Sequence, residues 1–331
     1  MTLQEIRTTP SGRKLLVLVA AFAAVYVFWG STYLAIKFAI ETLPPLLMAG
    51  SRFLIAGTIL FVYAMLRKDR ERPTLAHWRT SFIVGTLLLL GGNGGVVYAE
   101  RYLPSSFAAL LIATEPLWIV ILGWLWLGLG RPTLKVVLGL AIGFVGVWLL
   151  VSGSPVTEAT SNTGQWIGIG AVLLATVSWA AGSIYGLRGE TPESPVLAAG
   201  MQMIAGSISL FLAGTLRGEW STFQPSAVSP NSLFGLGYLI VFGSLVGYTA
   251  YSWLLRNARP SMVATYAYVN PIIAVVIGWL IADESMTPTM LIGAGVIVAS
   301  VVLITSQRTT EPEAEIVELH TSCAPEPRYS T

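Results

Sequence analysis

The sequence predicts an all-α membrane protein: ten transmembrane helices, built as a five-plus-five inverted repeat around a central cavity. Three observations carry this expectation. Charge is scarce: of 331 residues, 54% are hydrophobic and 11% charged, against about 25% charged in a soluble domain. A larger core does not absorb that deficit, because a soluble surface still has to face water. Apolar runs of about 20 residues recur along almost the whole chain, each long enough to cross a bilayer as a helix. They are longer than the roughly ten-residue strands of a barrel and lack their period of two. The third observation is a repeat between the two halves, set out below.

In chain order, the spans read as 15–37, 46–66, 80–99, 104–127, 133–152, 166–187, 196–215, 233–255, 260–282 and 288–306. Each break has its punctuation: Pro44-Pro45, the charged stretch Arg67 to Arg72 with Pro73, Pro104, Arg131-Pro132, Ser152 to Pro155, Pro192 to Pro195, Arg259-Pro260 and Asp283 to Pro288. Proline stops the preceding helix and is well suited to start the next. The loops left over are too short for a soluble catalytic domain, so any function sits inside the bundle. The first span has a basic start, as a signal peptide would, but its apolar run continues past Ala24 through Trp29 to Ile36, too long for an h-region. It is expected to be retained.

Lysine and arginine orient the chain. Fifteen of the 19 collect on one side, from Arg7, Arg13 and Lys14 to Arg308 and Arg328. Lys37, Arg101 and Arg217 fall on the other, and Arg52 lies within a span. By the positive-inside rule both termini are cytoplasmic. The domain reading is a cytoplasmic segment 1–14, a first repeat 15–152, a periplasmic linker 153–165, a second repeat 166–306 and a cytoplasmic tail 307–331. The tail carries Glu311, Glu313, Glu315, Glu318 and Glu326 with prolines, a composition expected to be disordered.

The halves match in order. Gly123-Trp124-Leu125 recurs as Gly278-Trp279-Leu280, with Pro116 opposite Pro271 and Ala109 opposite Ala264. Trp29 matches Trp179, Gly50 matches Gly200, and Tyr98 matches Tyr251. Five spans is an odd number, so the second half enters from the opposite side. Inverted repeats are a frequent plan of secondary transporters; a duplication without alternating access is the plainer reading.

These stretches resemble the drug/metabolite transporter superfamily in its EamA-type permease branch. The resemblance rests on Phe28 to Tyr33, on Arg52 to Gly57, and on the run from Asn93-Gly94 through Tyr98 to Pro104 and on to Glu115-Pro116-Leu117. The second half adds Ala264-Thr265 and Asn270-Pro271. It covers about residues 15–306. It implies a ten-helix bundle with a central cavity in a bacterial-type cytoplasmic (inner) membrane, and export of amino acids or other small metabolites. It supplies no family-wide catalytic motif, so the site expectations rest on the residues.

Ionisable groups inside a bilayer are costly and suggest function. At about 1.5 Å per residue, Glu115 falls roughly 16 Å into the fourth helix, near the midplane. Pro116 follows and is expected to break the local ladder; Asn270-Pro271 is the repeat counterpart. Glu115 is read either as a cavity carboxylate for a substrate amine or a proton, or as a buried helix–helix hydrogen bond. Arg52, roughly 9 Å below the outer surface, is expected to snorkel, to pair with Glu41, Glu100 or Glu115, or to meet a substrate carboxylate. Lys37 is expected only to anchor the end of the first helix. Gly92 and Gly94, in the run Gly91 to Gly95, are expected to bend the third helix or let a neighbour close in. Asn93, Tyr248, Tyr33, Tyr98 and Tyr266 complete the cavity candidates. Trp29 and Trp179 lie deep and either line the cavity or face lipid.

No enzyme is expected: His77 and His320 are the only histidines and lie in cytoplasmic segments, and no span core holds two carboxylates. The single cysteine, Cys323, excludes an intrachain disulfide. No metal, cofactor, nucleotide-binding loop or nucleic-acid partner is indicated. The expected partners are the lipid bilayer and a small-molecule substrate, amino acids first, with a drug or other metabolite as the alternative and a non-transporting scaffold as the remote one. Monomer and homo-oligomer both stay open. Reporter fusions in the 155–163 and 219–231 loops should read as periplasmic; a cytoplasmic signal from either breaks the inverted-repeat reading.

Overall fold

A computed structural model describes residues 12–68, 70–127, 133–153, 162–258 and 266–305. All regular structure among them is helical. Among the described residues, eight helices are long and apolar enough to cross a membrane: α1 (Leu15–Ala39), α2 (Pro45–Leu66), α3 (Leu75–Ala99), α4 (Ser105–Trp126), α5 (Leu134–Ser152), α6 (Thr163–Arg188), α7 (Pro195–Leu216) and α8 (Pro230–Tyr251). Two shorter apolar helices follow, α9 (Val269–Ala282) and α10 (Pro288–Ile304). The acidic tail, the first eleven residues, most of the 153–165 linker and the Arg259-Pro260 break lie outside the described residues.

Prolines and caps set the starts. Pro45, Pro195 and Pro230 stand in the first helical positions of α2, α7 and α8, where the missing N–H has no partner to lose. Ser194 and Ser229 cap α7 and α8 through their side chains. Thr74 and His77 cap each other reciprocally at the start of α3. That box adds about a turn of polar helix ahead of the apolar run, so α3 begins before the expected position 80.

The helices pack in specific pairs. α2 lies along α7 and α5 along α10; α3 meets α6 and α7, α8 meets α1 and α2, α4 meets α6 and α9, and α1 meets α9. Small residues let the backbones approach, which is how helices associate without a hydrophobic driving force between them. A Cβ on Gly200 would lie 2.8 Å from the Phe61 nitrogen and 3.1 Å from the Gly57 carbonyl oxygen. Between α5 and α10, a Cβ on Gly146 would lie 2.9 Å from the Ile297 nitrogen and 3.1 Å from the Gly293 carbonyl oxygen. Outward faces carry large apolar side chains such as Trp148, Leu174, Phe234 and Leu291.

Four spans depart from a regular α-helix. α1 is π-helical at Val25–Trp29, α3 at Thr86–Gly94 and α8 at Leu239–Val246. α4 is broken: one helix runs Ser105–Ile112 and another starts at Glu115. Insertions of this kind concentrate at functional sites.

The glycine contacts make a test. Gly200→Ala should destabilise the protein in detergent by about 1–3 kcal/mol, the usual cost of overpacking, seen as a lowered thermal unfolding midpoint. Gly170 has open space around it, so Gly170→Ala should leave the midpoint unchanged or raise it.

Candidate functional site

The irregular segments converge. A cavity of about 110 Å³ is lined by Trp29 and Tyr33 of α1, Arg52 of α2, Gly92 and Asn93 of α3, Glu115 of α4, Trp179 of α6, Gly243 and Tyr248 of α8, and Tyr266 and Asn270 at the start of the α9 segment. That volume holds several waters. Each π segment contributes lining residues: Trp29 from α1, Gly92 and Asn93 from α3, Gly243 from α8. The structure thus brings together Glu115, Asn93, Asn270, Tyr248, Trp29, Trp179, Tyr33, Tyr266, Arg52 and Gly92 from four helices of the first half and three of the second.

Glycine makes room at two walls. A Cβ on Gly92 would lie 2.7 Å from the Trp179 ring, and one on Gly243 would lie 2.8 Å from the Arg52 guanidinium. Gly94 turns away from the cavity and meets Leu210 of α7 instead. Trp29 donates its ring N–H to the Gly243 carbonyl at 3.0 Å, and its ring packs against Tyr248, Tyr251 and Tyr266 at 5.1–5.9 Å between centroids. The indole is thereby satisfied inside the bundle.

The polar groups of the cavity are only partly paired. Arg52 is 4% exposed. Its Nε donates to Ser244 Oγ at 2.9 Å and its guanidinium lies 4.7 Å from the Phe53 ring, but Nη1 has no partner. The expected pairing with a carboxylate is therefore corrected. Gly243 lets α8 close in on the guanidinium, and a serine hydroxyl and an aromatic face take the place of an acid. The side-chain oxygens of Asn93 and Asn270 are also buried without a partner. Glu115 is 7% exposed and borders the same space. Buried polar atoms are nearly always hydrogen-bonded, so a cluster of orphans around one cavity marks where a ligand or water would bind.

One further expectation is corrected. Tyr98 does not line the cavity. At 100° per residue it lies about 140° around the helix from Asn93, and its hydroxyl instead accepts from Arg217 Nη2 at 3.0 Å and meets Tyr102 at 3.3 Å. Pro116 sits at a break in the ladder: the helix before it ends at Ile112, whose carbonyl the proline nitrogen cannot bond. The chain turns at Ala113-Thr114, with Leu117 N–H donating to the Thr114 carbonyl, and Pro116 is the second residue of the helix that follows. Pro271, by contrast, lies inside the helix Tyr266–Ala282.

Sequence reasoning missed Thr32 and Thr176, which line the cavity while their hydroxyls bond back to the helix at Trp29 and Leu173. It also missed two acids of the second half that cap helices of the first. Glu219 accepts from the backbone N–H groups of Leu46 and Leu47 at 3.0 Å, at the start of α2. Glu284 does the same for Ser105 and Ser106 at the start of α4, at 2.9 Å. A carboxylate at a helix N-terminus is a favourable charge placement. Short sequence spacing carries no sign of either contact.

A helical bundle with a central polar cavity fits the plan of a carrier, and the comparisons agree. The chain is a multi-pass membrane transporter and not an enzyme. It belongs to the EamA-like transporter family, whose pattern matches residues 15–152 and again 166–306, in the drug/metabolite transporter superfamily. It is 37% identical to the uncharacterized inner membrane transporter YedA of Escherichia coli strain K12, over 92% of this chain and 96% of the other. Identity is 28% with the uncharacterized transporter YvbV of Bacillus subtilis strain 168, over 89% and 93%. It is 27% with the S-adenosylmethionine/S-adenosylhomocysteine transporter of Chlamydia trachomatis, over 83% and 85%. A solved crystal structure shares the fold with a TM-score of 0.59 at 18% identity, over 87% of this chain and 96% of the other.

Proposed function

We propose that this transporter exports small zwitterionic metabolites, amino acids first among them, across the inner membrane by alternating access. One observation carries the reading: the orphaned groups of the cavity, with Glu115 beside them, complement a zwitterion. Arg52 Nη1 is a cationic donor without a partner, suited to a substrate carboxylate. Asn93 Oδ1, Asn270 Oδ1 and the Glu115 carboxyl are acceptors suited to a substrate ammonium. Charge-assisted hydrogen bonds of this sort are the strong ones. A phosphorylated substrate would call for several cations, and Arg52 is the one lining this cavity. A large cationic drug would call for more than one carboxylate, and Glu115 is the one lining it. The relative from Chlamydia supports the class, since both compounds it is named for carry an α-amino-acid end.

The helix contacts support the five-plus-five inverted repeat. Replacing each of α1–α5 by its counterpart among α6–α10 turns α3–α6 into α8–α1, α3–α7 into α8–α2 and α4–α6 into α9–α1, all of which occur. α2–α7, α5–α10 and α4–α9 map onto themselves. Such a pseudo-two-fold gives two bundles that can exchange conformations about a fixed central site. On this reading both termini are cytoplasmic, and the loops at 155–163 and 219–231 are among the periplasmic ones.

Counterflow of labelled neutral amino acids in proteoliposomes tests the proposal. The purified carrier should accelerate exchange. Arg52→Ala should lower it about 10–100-fold, as expected for loss of a charged hydrogen bond worth about 1.5–3 kcal/mol. Overexpression should also raise resistance to toxic amino-acid analogues and lower their accumulation. Exchange of no amino acid, with resistance gained only to large cationic dyes, transfers the protein to the drug-exporting part of the superfamily. Movement of no solute at all leaves the scaffold reading.

A further inference from the structure

A second group of buried polar side chains lies where α1, α3, α4 and the segment after α9 meet. Asp283 takes a φ of 50°, a left-handed conformation that Asp tolerates. The turn lets the Glu284 N–H donate to the Gly278 carbonyl at 3.2 Å and carries its side chain inward. There the carboxylate accepts from Lys37 Nζ at 2.8 Å and from the N–H and hydroxyl groups of Ser105 and Ser106. Burial opposes its charge, but the bonds from Lys37 and Ser106 outweigh it and pull its pKa down to about 2. An ionised Glu284 therefore ties α1, α4 and the α9–α10 segment together at one end of the bundle.

Glu100, the first residue beyond α3, has the opposite surroundings. It is 5% exposed, and neither carboxyl oxygen has a hydrogen-bond partner. It caps the C-terminus of its helix, where the backbone dipole disfavours an anion. Burial pushes its pKa well above the usual carboxylate range and the Glu284 charge adds to the rise, while Lys37 pulls the other way. The charges that act on Glu100 are those of Glu284 and Lys37. Arg52 of α2 lines the cavity, bonded to Ser244 through Nε and unpaired at Nη1. Arg217, beyond α7, bonds to Tyr98, and Arg101 stacks near the Tyr98 and Tyr102 rings. Asp283 is exposed, and α6 carries no titratable side chain between Thr163 and Thr176. On α1, Tyr33 lies in the field of both Glu100 and Glu115, which joins this group to the cavity. Lys37, 37% exposed on a long stem, is the cation that acts on both carboxyls.

We propose that Glu100 is a proton-binding site whose protonation holds this end of the bundle closed, and whose ionisation opens it by drawing Lys37 away from Glu284. The proposal rests on the transporter reading, with this end extracytoplasmic. The step balances simply: the Glu100 carboxyl releases one proton to water, and the Lys37 ammonium keeps its charge and changes partner. A buried anion without a partner is strongly unfavourable, so the new charge must either capture Lys37 or reach water, and both undo the closed packing. The sign follows from linkage. The closed form holds the proton more tightly than the open form, so closure is favoured at low pH and lost as pH rises through the elevated pKa.

Thiol labelling tests this without any substrate. In a Cys323→Ser background, Ile36→Cys places a reporter on the cavity wall beside Lys37, and Ser226→Cys gives an exposed reference. A membrane-impermeant maleimide is applied from outside between about pH 6 and pH 9. The ratio of reporter to reference labelling should rise with pH, by at most about tenfold per unit for a single proton. Glu100→Gln should hold it low and flat, and Lys37→Met should hold it high and flat. Glu100→Asp, which keeps a titrating group should the glutamine variant misfold, should retain the rise with a shifted midpoint. A Glu100→Gln profile equal to the parent's, or an unshifted midpoint in Glu100→Asp, overturns the proposal. Because the readout needs no transport, a failed amino-acid counterflow and a failed proton site are separate results.

Discussion

A polar group left unpaired in hydrocarbon costs several kcal/mol, and the architecture follows from meeting that constraint. Regular helices satisfy their own backbones, so the apolar runs become helices and nothing else. What remains are helix ends and the stretches where a helix is distorted. The ends are met by serine and threonine caps, by prolines that bring no N–H, and by two acids. Glu219 and Glu284 both come from the second half and both cap helices of the first. These contacts fasten the halves together at helix termini, where the dipole favours a carboxylate.

In that middle the constraint is met differently. The π-helical segments of α1, α3 and α8 and the break in α4 all fall beside the cavity. A π turn keeps its backbone bonded while shifting the side chains downstream, so it re-aims residues without exposing amides to lipid. Trp29, Asn93 and Gly243 are delivered to the cavity this way. The Trp29 indole is held by the Gly243 carbonyl and by the rings of Tyr248, Tyr251 and Tyr266. Arg52 Nη1, Asn93 Oδ1 and Asn270 Oδ1 are not held. Three such orphans on residues that line one cavity mark an unfilled binding requirement there.

How much of this was legible in the sequence depends on the range of each signal. Helix positions were legible because hydropathy and proline act locally; Pro45, Pro195 and Pro230 mark their helix starts directly. Glu115 and Asn270 were legible because a polar residue at mid-depth has few places to go. Tyr98 was not, since its match to Tyr251 in the repeat says nothing about which way a π-distorted helix turns it. The break in α4 was legible to within a few residues, because Pro116 acts locally on the carbonyl four residues back, at Ile112. The two capping acids were invisible for a plainer reason: Glu284 lies 179 residues from Ser105, and in the sequence it is just a polar residue in a helix break.

Lys37 shows how the two levels join. In the sequence it is a cation at the end of a helix, and anchoring to the interface is a sufficient account of it. In the structure it forms the ion pair with Glu284 at 2.8 Å and stands in the field of Glu100. One cation therefore bonds one buried carboxyl and acts on a second, the first hydrogen-bonded and the second with no partner. A static fold has no use for that asymmetry, because replacing Glu100 by an apolar residue would relieve the cost of burying it. The asymmetry is useful only where the cation can change partners. Under the alternating access proposed here, the ends of the carrier close and open in turn while the central site stays intact.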